Sequence, residues 1–192
     1  SSAHILLCND SERELLQDSG WHVRSSLQFH WFNYGYESFD QYLSTFKSRK
    51  RKTIKKERNA IAINQIEITR IQGSDISNQD WQFFYQCYQT TYAKRGMQGY
   101  INLDGFKAMQ QNIPDKLLLI MAKQQDEEIA CALYFKDNEN LYGRYWGCLK
   151  EVSGLHFEIC YYQGIEYCIE HKLEHFDPGT QGEHKISRGF EP

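Results

Sequence analysis

The sequence has little proline and no long apolar run. Its 192 residues contain three prolines, and no run approaches the ~18 apolar residues of a membrane span. It also lacks a start methionine and a basic-then-apolar leader. These absences exclude a disordered chain, a transmembrane protein and an obvious export signal, so we expect a cytoplasmic location. The 28 aromatic residues can fill the core of one domain, or of one domain with part of another.

The sequence also lacks the spacings of common metal and disulfide sites. The six cysteines include no C-x-x-C pair, and the seven histidines include no H-E-x-x-H pattern. Most cysteines lie in apolar segments, which indicates reduced, buried thiols. His171 and His175 are four residues apart but straddle a predicted helix end, so we predict no metal site.

Positive charge is concentrated in one segment, although the formal net charge is −3. Residues 47–58 hold eight basic side chains and one acid, which gives +7, whereas 14 basic and 24 acidic residues elsewhere give −10. Such a cluster attracts anions, including a phosphate backbone; the alternative is a solvated helix face. The predicted anion-binding residues are Arg49, Lys50, Arg51, Lys52, Lys55, Lys56 and Arg58.

The residues up to about 60 predict a strand, a helix and a second strand, followed by the basic helix. The strands are expected at 4–8 and 21–32, and the first helix at 11–18. Apolar residues at helical spacing then predict one helix over about 38–59. Ser38 and Gln41 form a capping-box pattern at its beginning.

From residue 61 the pattern predicts a mixed α/β (α+β) layer fold. A strand over 61–71 is followed by a helix over 81–92, whose aromatic stripe is interpreted as core. A short helix (103–111), three strands (117–122, 129–135 and 141–148), a long helix (155–171), a short strand (173–176) and a loop (180–192) follow. Short polar turns between the three strands favour antiparallel pairing. We therefore expect a central, mostly antiparallel mixed sheet flanked by helices.

Five sequence segments carry a resemblance to a known family. They are QFHWFN (28–33), SRKRKTIKKER (48–58), LYGRYWG (141–147), LHFEICYYQGI (155–165) and QGEHK (181–185). With the element order, they resemble the FemAB-like bacterial proteins of peptidoglycan biosynthesis or recognition, within the GNAT acyltransferase superfamily. The resemblance spans about residues 3–192 and implies a GNAT-like acyltransferase fold. Family members are longer, so it further implies that 1–36 is the remnant of a preceding lobe, 37–60 the basic helix, and 61–192 a GNAT-like domain truncated at its C-terminus.

The resemblance implies transfer of an acyl or aminoacyl group to an amine, such as that of a cell-wall precursor. It leaves the donor open between aminoacyl-tRNA, bound through the basic helix, and acyl-CoA. Residues 148–155 lack the Q/R-x-x-G-x-G/A loop that holds the pyrophosphate of coenzyme A, which disfavours the second donor. No resident cofactor and no DNA partner are predicted. The alternatives are a non-catalytic module that binds cell-wall precursor or RNA, and an acetyl-CoA-dependent N-acetyltransferase.

Acyl transfer to an amine needs a base and hydrogen-bond donors for the oxyanion. The predicted bases are Glu183 and Glu158, with His184 and His156 as the runners-up. A helix-dipole interaction is the structural alternative for Glu158, and a polar surface loop is the alternative for residues 181–185. Arg144, flanked by aromatic residues, is expected either to pair with a carboxylate or to receive an anionic ligand. The predicted substrate-binding residues are Arg144, Tyr142, Tyr145, Trp146, Tyr161, Gln163, Gln181, Lys185, Arg188 and His30.

Overall fold

A computed structural model describes residues 3–5, 8–25, 27–179 and 182–192. The strands are β1 (Trp31–Phe32), β2 (Ile66–Gln72), β3 (Leu117–Gln124), β4 (Glu127–Lys136), β5 (Asn140–Cys148) and β6 (His175–Asp177). The helices are α1 (Asp10–Asp18), α2 (Phe39–Ser44), α3 (Ser48–Ile63), α4 (Asn78–Ala93), α5 (Leu103–Asn112) and α6 (residues 155–171). Short 3-10 turns lie at Gly73–Asp75, Pro114–Lys116 and Glu183–Arg188.

The strands form one six-stranded sheet in the order β1-β6-β5-β4-β3-β2. Neighbours are antiparallel except β5 and β6, which are parallel. The polar turns between β3, β4 and β5 join antiparallel neighbours, as predicted. The predicted fold class, a mostly antiparallel mixed sheet flanked by helices, is confirmed.

Helices cover both faces of the sheet because its central strands are apolar on both sides. In β3, Leu118 and Ile120 belong to the core that also contains residues of α2, α3 and α6, whereas Leu119 and Met121 belong to the core formed with α4 and α5. This alternation follows the two-residue period of a strand. Burying each of these aliphatic side chains contributes about 1.5–3 kcal/mol.

The N-terminal segment contains less strand than predicted. The second predicted strand, over 21–32, is reduced to Trp31–Phe32, which pairs with β6. Residues 3–5 and 8 are not in a strand, and positions 6 and 7 lie outside the described residues. Asn9 and Glu12 form the capping box that begins α1, and α1 buries none of its residues. Alternating composition alone did not produce a strand, because none of the described residues pairs with residues 21–25.

The predicted single basic helix is two helices, so this expectation was wrong in the middle of the segment and at its C-terminal end. Residues 45–47 separate α2 from α3, and the Arg51 guanidinium donates to the carbonyl of Phe46 at 3.2 Å across this break. At the other end α3 continues to Ile63, so that Ile61 is a buried helical residue and not part of a strand. The helix ends where Gln65 adopts a left-handed backbone conformation (φ 53°).

The long helix α6 is interrupted by a π-helical turn. It begins with Leu155–Phe157, continues through the π-turn at Glu158–Tyr162, and ends with Gln163–His171. A π-turn shifts the faces of the following residues relative to a regular α-helix. Gly164 packs closely in this helix, because a Cβ there would lie 2.5 Å from Cζ of Phe176.

The C-terminal segment is more ordered than the predicted loop, since Glu183–Arg188 form a 3-10 turn. Within the described parts of the chain, no helix combines the length and the apolar character needed to cross a membrane. All six cysteines are unpaired. The division into a lobe remnant, a basic helix and a GNAT-like domain stays a prediction.

Candidate active site

The parallel strands β5 and β6 separate soon after they pair. They are in register over three residue pairs, the last of which is Tyr142 with Asp177. Beyond this pair the chain leaves the sheet at Pro178 and Gly179, while β5 continues to Cys148. A cleft of about 330 Å³ lies at this opening. Its walls come from the C-terminal half of α4, from β4 and β5, from the beginning of α6, and from Pro178, Gly179 and His184.

A β-bulge in β5 presents Arg144 to the cleft. Leu133 of β4 pairs with Tyr145, and the next residue, Tyr134, pairs with Gly143, so Arg144 has no partner in the register. Bulges of this kind redirect a side chain. The guanidinium of Arg144 is exposed and lies 5.5 Å from the ring centre of Tyr145. Of the two alternatives for Arg144, the carboxylate partner is not found among the described residues.

A second arginine, Arg95, also lines the cleft, and sequence reasoning missed it. It lies in the hydrogen-bonded turn after α4, where its backbone N–H donates to the carbonyl of Tyr92 at 2.9 Å. Its side chain is exposed, and no ion pair to it occurs within the described residues. The sequence feature that could have identified Arg95 is its position next to Gly96, in the turn that follows the aromatic helix α4. No short-range pattern connects that turn with β5.

His156 is a neutral imidazole in the wall of the cleft. It lies in the first turn of α6, with its ring centre 5.2 Å from that of Trp146. Burial, followed by the neighbouring groups His184, Arg188 and Lys185, lowers the pKa of His156 to about 4. An imidazole with this pKa is unprotonated at neutral pH, so its free nitrogen is available as a base that is weaker than an ordinary histidine.

Tyr161 and His184 form a hydrogen-bonded pair beside His156. The Tyr161 hydroxyl lies 2.7 Å from Nε2 of His184. Burial raises the pKa of Tyr161, and burial together with the charge of Arg188 lowers the pKa of His184. Both groups are consequently neutral near pH 7, and the pair can pass a proton in either direction according to the imidazole tautomer.

The cleft brings together six of the predicted site residues, which are far apart in the sequence. They are Arg144, Tyr145, Trp146, His156, Tyr161 and His184. The remaining predicted residues are elsewhere in the structure, except Gln181, which lies outside the described residues.

Glu158 and Gln163 lie in an ion-pair network and not in the cleft. Glu158 is 3% exposed, and its carboxylate accepts from Arg58 Nη2 at 3.0 Å and from Gln163 Nε2 at 2.8 Å. Gln163 in turn accepts from Arg70 at 2.8 Å, and both arginines also pair with Glu166. Their positions on α6 direct them toward α3 and β2, so Glu158, which was predicted as a base, does not face the cleft.

Lys185 and Arg188 anchor the 3-10 turn that carries His184. The buried Lys185 ammonium donates to the carbonyl of Gly179. Arg188 pairs with Glu57 at 2.7 Å, and its guanidinium lies 3.4 Å from the ring centre of Phe157. Both side chains were predicted to hold substrate, but their polar atoms have protein partners instead.

Three further predicted residues lie outside the cleft lining. The Tyr142 hydroxyl donates to Asp137 at 3.0 Å. His30 is half-buried, with Nε2 4.0 Å from Asp177. Glu183, the first predicted base, begins the 3-10 turn and is exposed. Their assigned roles stay predictions.

The side chains of the basic segment, residues 47–58, lie on two sides of α3, one facing inward and one facing outward. Glu57, its only acid, faces inward to Arg188, and Arg58 faces inward to Glu158. Lys55 lies 3.8 Å from Asp40. The exposed basic residues, which we call the α3 basic face, are Lys47, Arg49, Lys50, Lys52, Lys55 and Lys56. The outward surface of α3 thus carries six basic side chains, compared with a count of +7 over the whole segment, and the acid of the segment does not lie among them.

A second cleft, of about 310 Å³, adjoins the first at the beginning of α6. Trp146 and His156 line both clefts. Lys94 and Glu151, which also line the second cleft, form an ion pair of 2.8 Å. His156 therefore stands between two volumes, each of which can hold part of a substrate.

Comparisons with known proteins identify a family and similar folds. A family model named FemAB-like, for peptidoglycan biosynthesis or recognition, matches residues 1–192. A search of curated proteins finds no match. A conserved protein of unknown function from Bacteroides thetaiotaomicron superposes with a TM-score of 0.57 at 12% identity, over 94% of this chain and 62% of that one.

Two other solved structures are similar. L-PGS from Bacillus licheniformis has a TM-score of 0.57 at 13% identity, covering 80% of this chain and 46% of that one. The C-terminal domain of a protein described as a lysylphosphatidylglycerol synthetase, from Agrobacterium fabrum, has a TM-score of 0.55 at 11% identity, covering 76% and 47%. At these identities the likeness shows the fold alone. The chain spans between 46% and 62% of the length of these three structures.

Proposed function

The chain belongs to the FemAB-like family of peptidoglycan biosynthesis or recognition, and from this premise we propose that its cleft transfers an acyl or aminoacyl group to an amine. The observation that carries the proposal is the neutral, half-buried His156 beside the Tyr161–His184 pair, at the opening between β5 and β6. An amine nucleophile must lose a proton, and an imidazole that is unprotonated at neutral pH can take it.

The proposed reaction is a direct displacement at the carbonyl carbon of an ester or thioester donor. The amine nitrogen attacks this carbon and forms the new C–N bond, while His156 takes the proton from the nitrogen. The tetrahedral intermediate then collapses, and the bond from carbon to the leaving oxygen or sulfur breaks. The leaving atom receives a proton from the neutral Tyr161 hydroxyl, which is replenished through His184, and His156 releases its proton to solvent. No covalent acyl-protein intermediate is needed.

The two clefts provide the space that two substrates require. They meet at Trp146 and His156, so a donor in one cleft and an acceptor in the other would bring the carbonyl and the amine to the imidazole. Holding both reactants in this way converts a bimolecular step into an effectively unimolecular one.

For the donor, we propose an aminoacyl-tRNA that contacts the α3 basic face. The six exposed basic side chains of this face and the inward direction of Glu57 support binding of a phosphate backbone. Acyl-CoA is the less favoured donor. Gly154, at the beginning of α6, belongs to a segment without the glycine pattern of a pyrophosphate loop. Its left-handed conformation (φ 85°) begins the helix, and its backbone packs close to the Glu57 carbonyl.

The experiment is a transfer assay with the purified protein. Charged tRNAs or acetyl-CoA are supplied as donors, a peptidoglycan precursor with a free amine is the acceptor, and mass spectrometry detects the product. We expect a product with an aminoacyl donor and none with acetyl-CoA. Absence of product with every donor, together with saturable binding of the precursor, would favour the non-catalytic binding module instead. That alternative is supported by the absence of a carboxylate from the described lining of the cleft.

A further inference from the structure

We propose that Arg95 and Arg144 form a clamp for a phosphate group at the cleft between β5 and β6. The inference deepens the proposed function and rests on it, because it names the substrate class of the same cleft: a molecule that carries a phosphate monoester, diester or diphosphate.

The two arginines differ from those that have structural roles. Arg58, Arg70 and Arg188 each pair with carboxylates at 3.1 Å or less. Arg95 and Arg144 line the cleft without any ion pair to the described residues. The guanidinium of Arg144 has a cation–π interaction with the ring of Tyr145, and within the described parts of the chain it has no hydrogen-bond partner.

The backbone holds both arginines in defined places. Arg144 occupies the bulge of β5, which is fixed by the pairs on either side of it. Arg95 lies in a turn where Gly96 N–H donates to the carbonyl of Ala93 at 2.9 Å. Bulges that interrupt strand pairing and redirect a side chain are frequent beside binding sites.

The surroundings of the clamp are electropositive. No Asp or Glu belongs to the described lining of the cleft. Lys185 and Arg188 lie close enough to lower the pKa of both His156 and His184. An anion entering the cleft therefore meets two guanidinium groups without ion pairs, whereas the carboxylates of Asp177 and Glu57 lie behind the lining, beside Lys185 and Arg188.

A phosphate suits two arginines better than a carboxylate does. One guanidinium fork can satisfy both oxygens of a carboxylate, whereas the additional oxygens of a phosphate can accept from a second fork. The source of the phosphate is either a nucleotide-linked precursor or a lipid headgroup, and the experiment separates the two.

The test is isothermal titration of the full chain with inorganic phosphate at low ionic strength. We expect saturable binding that weakens at least tenfold in the Arg95→Gln/Arg144→Gln double variant. The Arg24→Gln/Lys116→Gln variant is the matched control, because it removes the same charge from exposed positions outside the cleft; it should bind as the unchanged protein does. Undiminished binding in the double variant, or no binding in the unchanged protein, would overturn the clamp.

Two competitors identify the source. Uridine diphosphate represents a nucleotide-linked precursor, and phosphatidylglycerol with six-carbon chains represents a lipid headgroup. Displacement of phosphate by either one supports the clamp and assigns its source, whereas failure of both contradicts it. The single variants Arg95→Gln and Arg144→Gln, checked by circular dichroism, should each show a smaller loss, which guards against misfolding of the double variant.

The phosphate-binding experiment and the transfer assay can fail independently of each other. The His156→Gln variant should lose transfer but keep phosphate binding. Arginine-dependent binding without any transfer would retain the clamp and refute the proposed function. Transfer that is unaffected by the double substitution would refute the clamp and retain the proposed function.

Discussion

The neutral state of His156 makes stability dependent on pH in a way that can be measured. The folded protein binds a proton at this imidazole with a pKa of about 4, compared with an ordinary value of 6.5. Between these values the unfolded chain binds more protons, so the free energy of unfolding falls as the pH is lowered from about 6.5 to 4. At pH 4 the loss from this residue is about 3 kcal/mol, since each pKa unit is worth about 1.4 kcal/mol.

Substitution of His156 by Gln should remove this loss. Urea unfolding at pH 7 and pH 4 gives the stability difference for each protein. We expect this difference to be about 3 kcal/mol smaller in His156→Gln than in the unchanged protein. His22→Gln, at an exposed histidine, is the control and should behave as the unchanged protein. Equal pH dependence in His156→Gln and the unchanged protein would show that His156 is not buried in its neutral form, and would refute this reasoning.

Three further predictions concern the framework of the site. Glu57→Gln should destabilise the protein by about 3 kcal/mol in urea unfolding, because it leaves the buried Arg188 without its carboxylate; a change below 1 kcal/mol would contradict this. Gly164→Ala should lower the melting temperature by several degrees, because the new methyl meets the ring of Phe176; an unchanged or higher melting temperature would show that the ring can move. Reversing three charges of the α3 basic face to Glu should weaken tRNA binding at least tenfold and reduce its salt dependence, and unchanged binding in filter assays would exclude this face.

Much of the fold could be predicted because the spacing of apolar residues along the sequence reflects which side chains are buried. The aromatic stripe of α4 is core as predicted, with Trp81 and Phe84 each 1% exposed. The apolar runs of β3 and β4 are central strands. The break between α2 and α3 was missed because residues 45–47 carry no proline or glycine. Ile61 was assigned to a strand because its alternating neighbours suit either structure.

The candidate site could be predicted only in part. Arg144, His156 and His184 were selected for their chemistry, and the structure brings them to one cleft. Glu158 was misplaced because the direction of a side chain in α6 depends on packing against α3 and on a π-turn that hydrophobic spacing does not report. Arg95 was missed because its position opposite β5 is a consequence of tertiary packing.

The most direct test of the account is the rate of acyl transfer in His156→Gln. If this imidazole removes the proton from the amine, kcat should fall by about 10²–10⁴-fold while KM changes little. In the unchanged protein, the rate should rise with pH as the residual protonated fraction of His156 is lost near pH 4. Transfer by His156→Gln at the full rate, or with only KM altered, would contradict the assignment of this cleft as the site of the reaction.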